Sequence, residues 1–116
     1  MTPIEASTLY GTLNLLILRT LEGEALHGLE VRRRIERLSE RVLQVEEGAL
    51  YPALHRLERD GLLRSEWGIS DRGRRARFYA LTGKGRARLA RERESWRSHV
   101  RAVARVLEEE AGGAPA

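Results

Sequence analysis

Cysteine is absent from the 116 residues, which removes disulfide frameworks, thiolate metal sites and cysteine nucleophiles together and fits a reducing compartment. Lysine is almost absent: Lys84 is the only one, so the basic character rests on arginine. Aromatic residues make up 5% of the chain, few for the ring-lined pockets that bind small substrates. The most apolar run, Leu15 to Leu18, is closed by Asn14 and Arg19. It falls far short of the roughly 20 residues a membrane span needs. Nothing resembles a secretory signal, and a cytoplasmic protein is expected. His27, His55 and His99 show no metal-ligand spacing, and no serine, histidine and acid arrangement stands out. The segment TGKG, Thr82 to Gly85, has Phe78 where a phosphate loop needs its first glycine. No enzyme, metal or cofactor is expected.

What is present is concentrated in the stretch EEGALYPALHRLERDGLL, which ends at Leu63. Leu50, Leu54 and Leu57 share one helical face and predict a buried side. Gly48, Tyr51, Pro52, His55 and Arg59 fall on the other face. Pro52 is expected in the first turn, which starts the helix near Gly48 or Ala49, and Gly61 suits the left-handed position just past its end. Taken alone, such a helix is more often just a solvated surface helix; its flanking segments give it meaning.

Upstream, Leu9, Leu13, Leu16, Ile17 and Leu21 predict a helix over Thr8 to Glu22, broadened by Leu15 and Leu18 until two sides are apolar. After the break EGEAL, a second helix is expected over His27 to Glu40, with Leu26, Val31, Ile35 and Leu38 inward. Arg41 to Glu46 links it to the helix of Leu50, Leu54 and Leu57, and a helix, a short break and a helix with a decorated outer face make a helix-turn-helix unit. Downstream, Leu62 to Trp67 and Ala76 to Leu81 alternate like strands around the loop Gly68 to Arg75. This predicts a two-stranded wing with Arg72, Arg74 and Arg75 at its tip. From Arg64 to Arg77 the five arginines Arg64, Arg72, Arg74, Arg75 and Arg77 face only Glu66 and Asp71, a local excess of three positive charges in a chain of net charge +4. Guanidinium groups so clustered suit phosphate.

Thr82 can cap a last helix reaching Glu110, with Leu89, Trp96, Val100, Val103 and Leu107 along one seam. At roughly 43 Å it must project from a domain whose radius of gyration is near 12 Å. An identical chain on a two-fold axis is the economical cover for that seam. The expected fold is mostly α with a small β-hairpin: residues 1–82 form a winged helix-turn-helix DNA-binding domain, 83–110 a C-terminal dimerisation helix and 111–116 a disordered tail.

The segments LHGLEVRRRI, EGALYPALHRLERDGLL and GRRARFYALTGKGRARL, with the tryptophan-bearing last helix, resemble the PadR family of bacterial transcriptional regulators. The likeness runs from about Leu13 to Leu107; Leu29 departs from it, standing where relatives place Tyr. The resemblance implies a homodimeric repressor on a palindromic operator in double-stranded DNA. It implies that Tyr51, Pro52 and His55 meet base edges and sugar-phosphate, that Gly48 and Ala49 permit close approach, and that Arg72, Arg74, Arg75 and Arg77 contact phosphate or the minor groove. His27 and Arg59 are grouped with these contacts. It also implies a space between first and last helices of two subunits for a small aromatic or hydrophobic ligand, with Leu15, Leu89, Trp96, Val100, Val103 and Leu107 as dimer or effector-pocket residues. Trp96 reads equally as a dimer-core anchor. The alternative function is a winged-helix module that binds protein, for which an acidic or apolar wing is expected.

Overall fold

The computed structural model describes residues 12–109. The expected first turn around Leu9 and the tail 111–116 lie outside them. The elements run α1 (Leu13–Thr20), β1 (Leu26–His27), α2 (Gly28–Leu38), α3 (Glu47–Arg59), β2 (Leu63–Ile69), β3 (Arg75–Leu81) and α4 (Gly83–Glu109). The strands form one antiparallel sheet in the order β1-β3-β2. The wing is therefore three-stranded, where two strands were expected: Leu26 and His27 pair with Tyr79 and Phe78. Two residues are too short to show alternation, and only their pairing with a distant strand reveals them.

Three faces close the core. Ile17 and Leu18 of α1, Val31 and Ile35 of α2, and Leu50, Ala53, Leu54 and Leu57 of α3 are buried against one another, with Leu63, Tyr79 and Leu81 from the wing beneath. Leu38, expected inward, is 60% exposed because α2 ends there and the chain turns away. That turn is a left-handed cap at Glu40 (φ 52°), with the Arg41 N–H donating to Glu36 O at 2.7 Å. The same cap ends α3 at Gly61 (φ 79°), where the Leu62 N–H donates to Leu57 O at 2.9 Å.

α3 begins at Glu47, earlier than expected, and Pro52 lies inside its second turn rather than the first. The start is set by the Glu46 carbonyl, which accepts from both the Ala49 and Leu50 N–H at 3.0 Å. Pro52 has no N–H to give, so the Gly48 carbonyl lacks the donor four residues on that a helix normally supplies. Ala49 is half-buried and packs against the core.

Thr82 caps α4 as expected, accepting from the Gly85 N–H at 3.0 Å while donating to Gly61 O at 2.7 Å. A Cβ at Gly85 would lie 2.1 Å from Leu62 O, so the TGKG segment is shaped by packing on the end of α3. Leu89 is buried in the domain core and is not part of the exposed seam expected of it. It lies in the part of α4 that still packs on the domain. Farther on, α4 leaves the domain, and the described chain measures 62 × 31 × 21 Å.

Candidate nucleic-acid interface

The turn between α2 and α3 is held by charge. Arg32 pairs with Glu36 at 3.4 Å and with Glu47, in the first turn of α3, at 3.7 Å, while Glu36 also accepts from the Val45 N–H at 3.4 Å. Glu47 sits where a helix start favours an anion. Arg34 is engaged by Glu24 at 2.6 Å and Glu30 at 3.4 Å, and Arg33 by Glu30 at 3.6 Å. The arginines of α2 thus largely serve the fold.

With the turn fixed, Tyr51, Pro52, His55, Arg56 and Arg59 are exposed on α3. Tyr51 also packs: a Cβ at Gly28 would come 2.6 Å from its ring, so only glycine lets the start of α2 pass beneath the tyrosine. Its outward face was legible from periodicity; this second contact was not. His27 is placed by two interactions. Its Nδ1 accepts from the Glu30 N–H at 3.4 Å, capping α2, and its ring meets Phe78 edge-on at 5.4 Å.

The wing loop is shorter than expected. β2 and β3 continue to Ile69 and Arg75, so only residues 70–74 turn, and Arg75 belongs to a strand. The Ser70 N–H donates to Arg74 O at 2.8 Å, the Gly73 N–H to Ser70 O at 2.9 Å, and Gly73 takes φ 74°. Gly68, expected in the loop, is a strand residue opposite Ala76, and a Cβ there would strike the Phe78 ring at 2.8 Å. Arg72 and Arg74 project from this turn, exposed and without an ion pair among the described residues. Arg77 is placed differently: its Nε donates to Ser65 Oγ at 2.7 Å and its guanidinium lies 3.9 Å from Glu58. Behind it Tyr79 is buried, which pushes its phenol above the usual range.

Between α3, the start of α2 and the wing lies a cleft of about 490 Å³. It brings together His27, Tyr51, His55, Arg72, Arg74, Arg75 and Arg77, residues far apart in sequence, and adds Arg33 and Trp67, which the sequence reading did not single out. Gly48, Ala49, Pro52 and Arg59 lie outside the cleft lining. A groove lined by arginines and hydrogen-bonding rings suits a phosphate backbone beside base edges.

A second groove, between α1 and α4, joins Leu15 to Trp96 and His99, whose rings lie 5.8 Å apart. Trp96, Val100, Val103, Val106 and Leu107 are exposed along α4; Val106, at 75%, widens the expected seam. Among the described residues no group of three or more His, Cys, Asp or Glu is arranged to hold a metal, and no helix is long and apolar enough to cross a membrane.

Comparison with known proteins follows these features closely. A profile of the Transcriptional regulator PadR-like family matches residues 17–91. A transcriptional regulator of Mycobacterium tuberculosis is 46% identical over 68 residues, a stretch covering 59% of this chain and 63% of that protein, so the match spans less than two thirds of the relative's length. Among solved structures, a PadR-like transcription factor from Bacteroides fragilis is 32% identical with a TM-score of 0.69, covering 87% of this chain and 95% of that one. A PadR family transcription regulator from Clostridium difficile is 29% identical with a TM-score of 0.71, covering 84% of this chain and 99% of the other.

Proposed function

Since the chain belongs to the PadR-like family of transcriptional regulators, we propose that it is a dimeric, sequence-specific DNA-binding repressor of the bacterial cytoplasm. The observation that carries this reading is the cleft between α3 and the wing, which His55 and Tyr51 line together with Arg72 and Arg74. α3 enters the major groove, where Tyr51, Pro52 and His55 read base edges and Gly48 allows close approach. Arg59 and the wing arginines bind the flanking phosphates, so affinity falls with salt while the few helix side chains discriminate sequence. An arginine-rich wing favours this over a protein-binding module.

The exposed apolar positions of α4 from Trp96 to Leu107 support a two-fold partner. Two copies so joined meet half-sites one turn of DNA apart, about 34 Å. The groove of Leu15 and Trp96 supports release by a flat aromatic or hydrophobic effector seated on the indole.

Selection of bound fragments from sheared bacterial DNA by the purified protein tests the proposal. An enriched inverted repeat is the expected result. Enrichment no greater than input at moderate salt would remove specific binding and leave the protein-binding module in its place.

A further inference from the structure

The wing face turned toward α3 carries an arrangement that the reading above does not use. Alternation along β2 puts Ser65, Trp67 and Ile69 on that face, and the register sets Trp67 opposite Arg77 and Ile69 opposite Arg75. The Arg75 guanidinium carbon lies 4.4 Å from the centroid of the Trp67 ring, and that of Arg77 lies 5.3 Å from it. Two like charges on one strand therefore share a single indole, which is 55% exposed and contributes nothing to the core.

The Arg77 end is tied to α3. Its Nε donates to Ser65 Oγ at 2.7 Å, and that hydroxyl donates to Glu58 Oε2 at 2.6 Å on the last turn of α3. Contacts thus run unbroken from α3 through Ser65 and Arg77 to Trp67 and end on Arg75. Of the two arginines, Arg77 meets Glu58 and Arg75 meets no carboxylate among the described residues. A long cationic side chain ordinarily loses rotamer freedom when it binds phosphate; one already stacked on a ring has less to lose.

We infer that Trp67 is a positioning residue for nucleic-acid binding: it holds the Arg75 guanidinium ready for a backbone phosphate, at a height set relative to α3 by Arg77, Ser65 and Glu58. Arg77 is the strut in this arrangement and Arg75 the contact. The inference rests on the DNA-binding reading. It concerns the sugar-phosphate backbone, so a random-sequence duplex is a sufficient probe.

The test is anisotropy titration of that duplex across a salt range with the wild-type chain, Trp67→Leu, Trp67→Tyr, Arg75→Gln and the Trp67→Leu/Arg75→Gln double variant. Trp67→Leu should weaken binding roughly two- to five-fold for each clamp lost, the strength of an exposed cation–π contact. Trp67→Tyr should recover most of it, with melting temperatures unchanged. Arg75→Gln should make the plot of log affinity against log salt shallower by about 0.9 for each phosphate released. The double variant should match Arg75→Gln alone, because the indole acts through that arginine. Additive losses would mean that the ring touches DNA itself, and wild-type affinity in Trp67→Leu would mean that the clamp does nothing; either overturns the inference alone. A wild-type chain that binds no duplex at any salt overturns the DNA-binding reading as well.

Discussion

Gly48→Ala separates what the fold needs from what the bound state needs. Gly48 is the second residue of α3, exposed, and a Cβ built on it meets no atom of the described residues within 4 Å. No packing among the described residues therefore requires glycine there, while glycine in place of alanine costs a helix up to about 0.5–1 kcal/mol, the figure for its interior. Substitution should raise stability by that amount. For a domain of this size the gain corresponds to a melting temperature higher by about 2–8 °C. If the start of α3 approaches DNA as proposed, the same methyl group stands between helix and groove. The loss of one well-made base contact, about 1–3 kcal/mol, corresponds to a roughly five- to 150-fold weaker operator complex. Circular dichroism melts and anisotropy on the selected operator read the two effects on one preparation. A stabilised variant that keeps wild-type operator affinity would refute the close approach, and a destabilised one would refute the helix start.

Other perturbations address the remaining parts. Arg72→Ala with Arg74→Ala should weaken binding to all duplexes alike and lower the salt slope by up to about 1.8 per protomer; an unchanged slope in a filter-binding titration would take both residues off the phosphates. Leu54→Ala truncates a fully buried side chain and should cost roughly 2–5 kcal/mol in urea unfolding, so a midpoint within error of wild type contradicts the core. Trp96→Ala should shift the protein toward monomer, and sedimentation at micromolar concentration showing an intact dimer argues for a ligand platform instead. Glu22 has its carboxyl held below the usual range, chiefly by the hydrogen bond from Arg93 at 2.9 Å. A depressed carboxylate stabilises the fold above its unfolded pKa and loses that contribution as pH falls through the folded value. Arg93→Gln should thus cost a little stability at neutral pH, as befits an exposed pair, and nothing in acid; equal urea midpoint changes at both would exclude the linkage.

The two ends of α3 show where sequence was and was not sufficient. Its C-terminus follows from Gly61, because a left-handed cap is a local property of one residue. Its N-terminus does not, because the Glu46 carbonyl starts the helix and tertiary packing of Leu50 outweighs a proline one turn in. β1 is invisible locally: Leu26 and His27 are a strand only because Tyr79 and Phe78 lie beside them. The periodic seam of α4 was legible, but periodicity cannot say what covers each position. Leu89 proves to be buried in its own domain while Trp96 stays 42% exposed beside α1. The Trp67 stack escapes the sequence for a related reason: alternation alone gives a loop from Gly68 to Arg75, and only the shorter turn of residues 70–74 sets Trp67 across from Arg77.

One helix, α4, passes through two environments. Its root holds Leu89 in the core, whereas every residue from Glu94 to Glu108 is exposed. Fifteen or so residues of unsupported helix are marginally stable in water. The root should therefore unfold only with the whole domain, while the tip frays on its own. In hydrogen exchange the amides around Leu89 should report the global unfolding free energy. Those beyond Val100 should exchange by local fraying at low concentration and, in the dimer proposed above, slow as concentration rises, so that the tip responds to assembly directly and the root only through the stability of the whole.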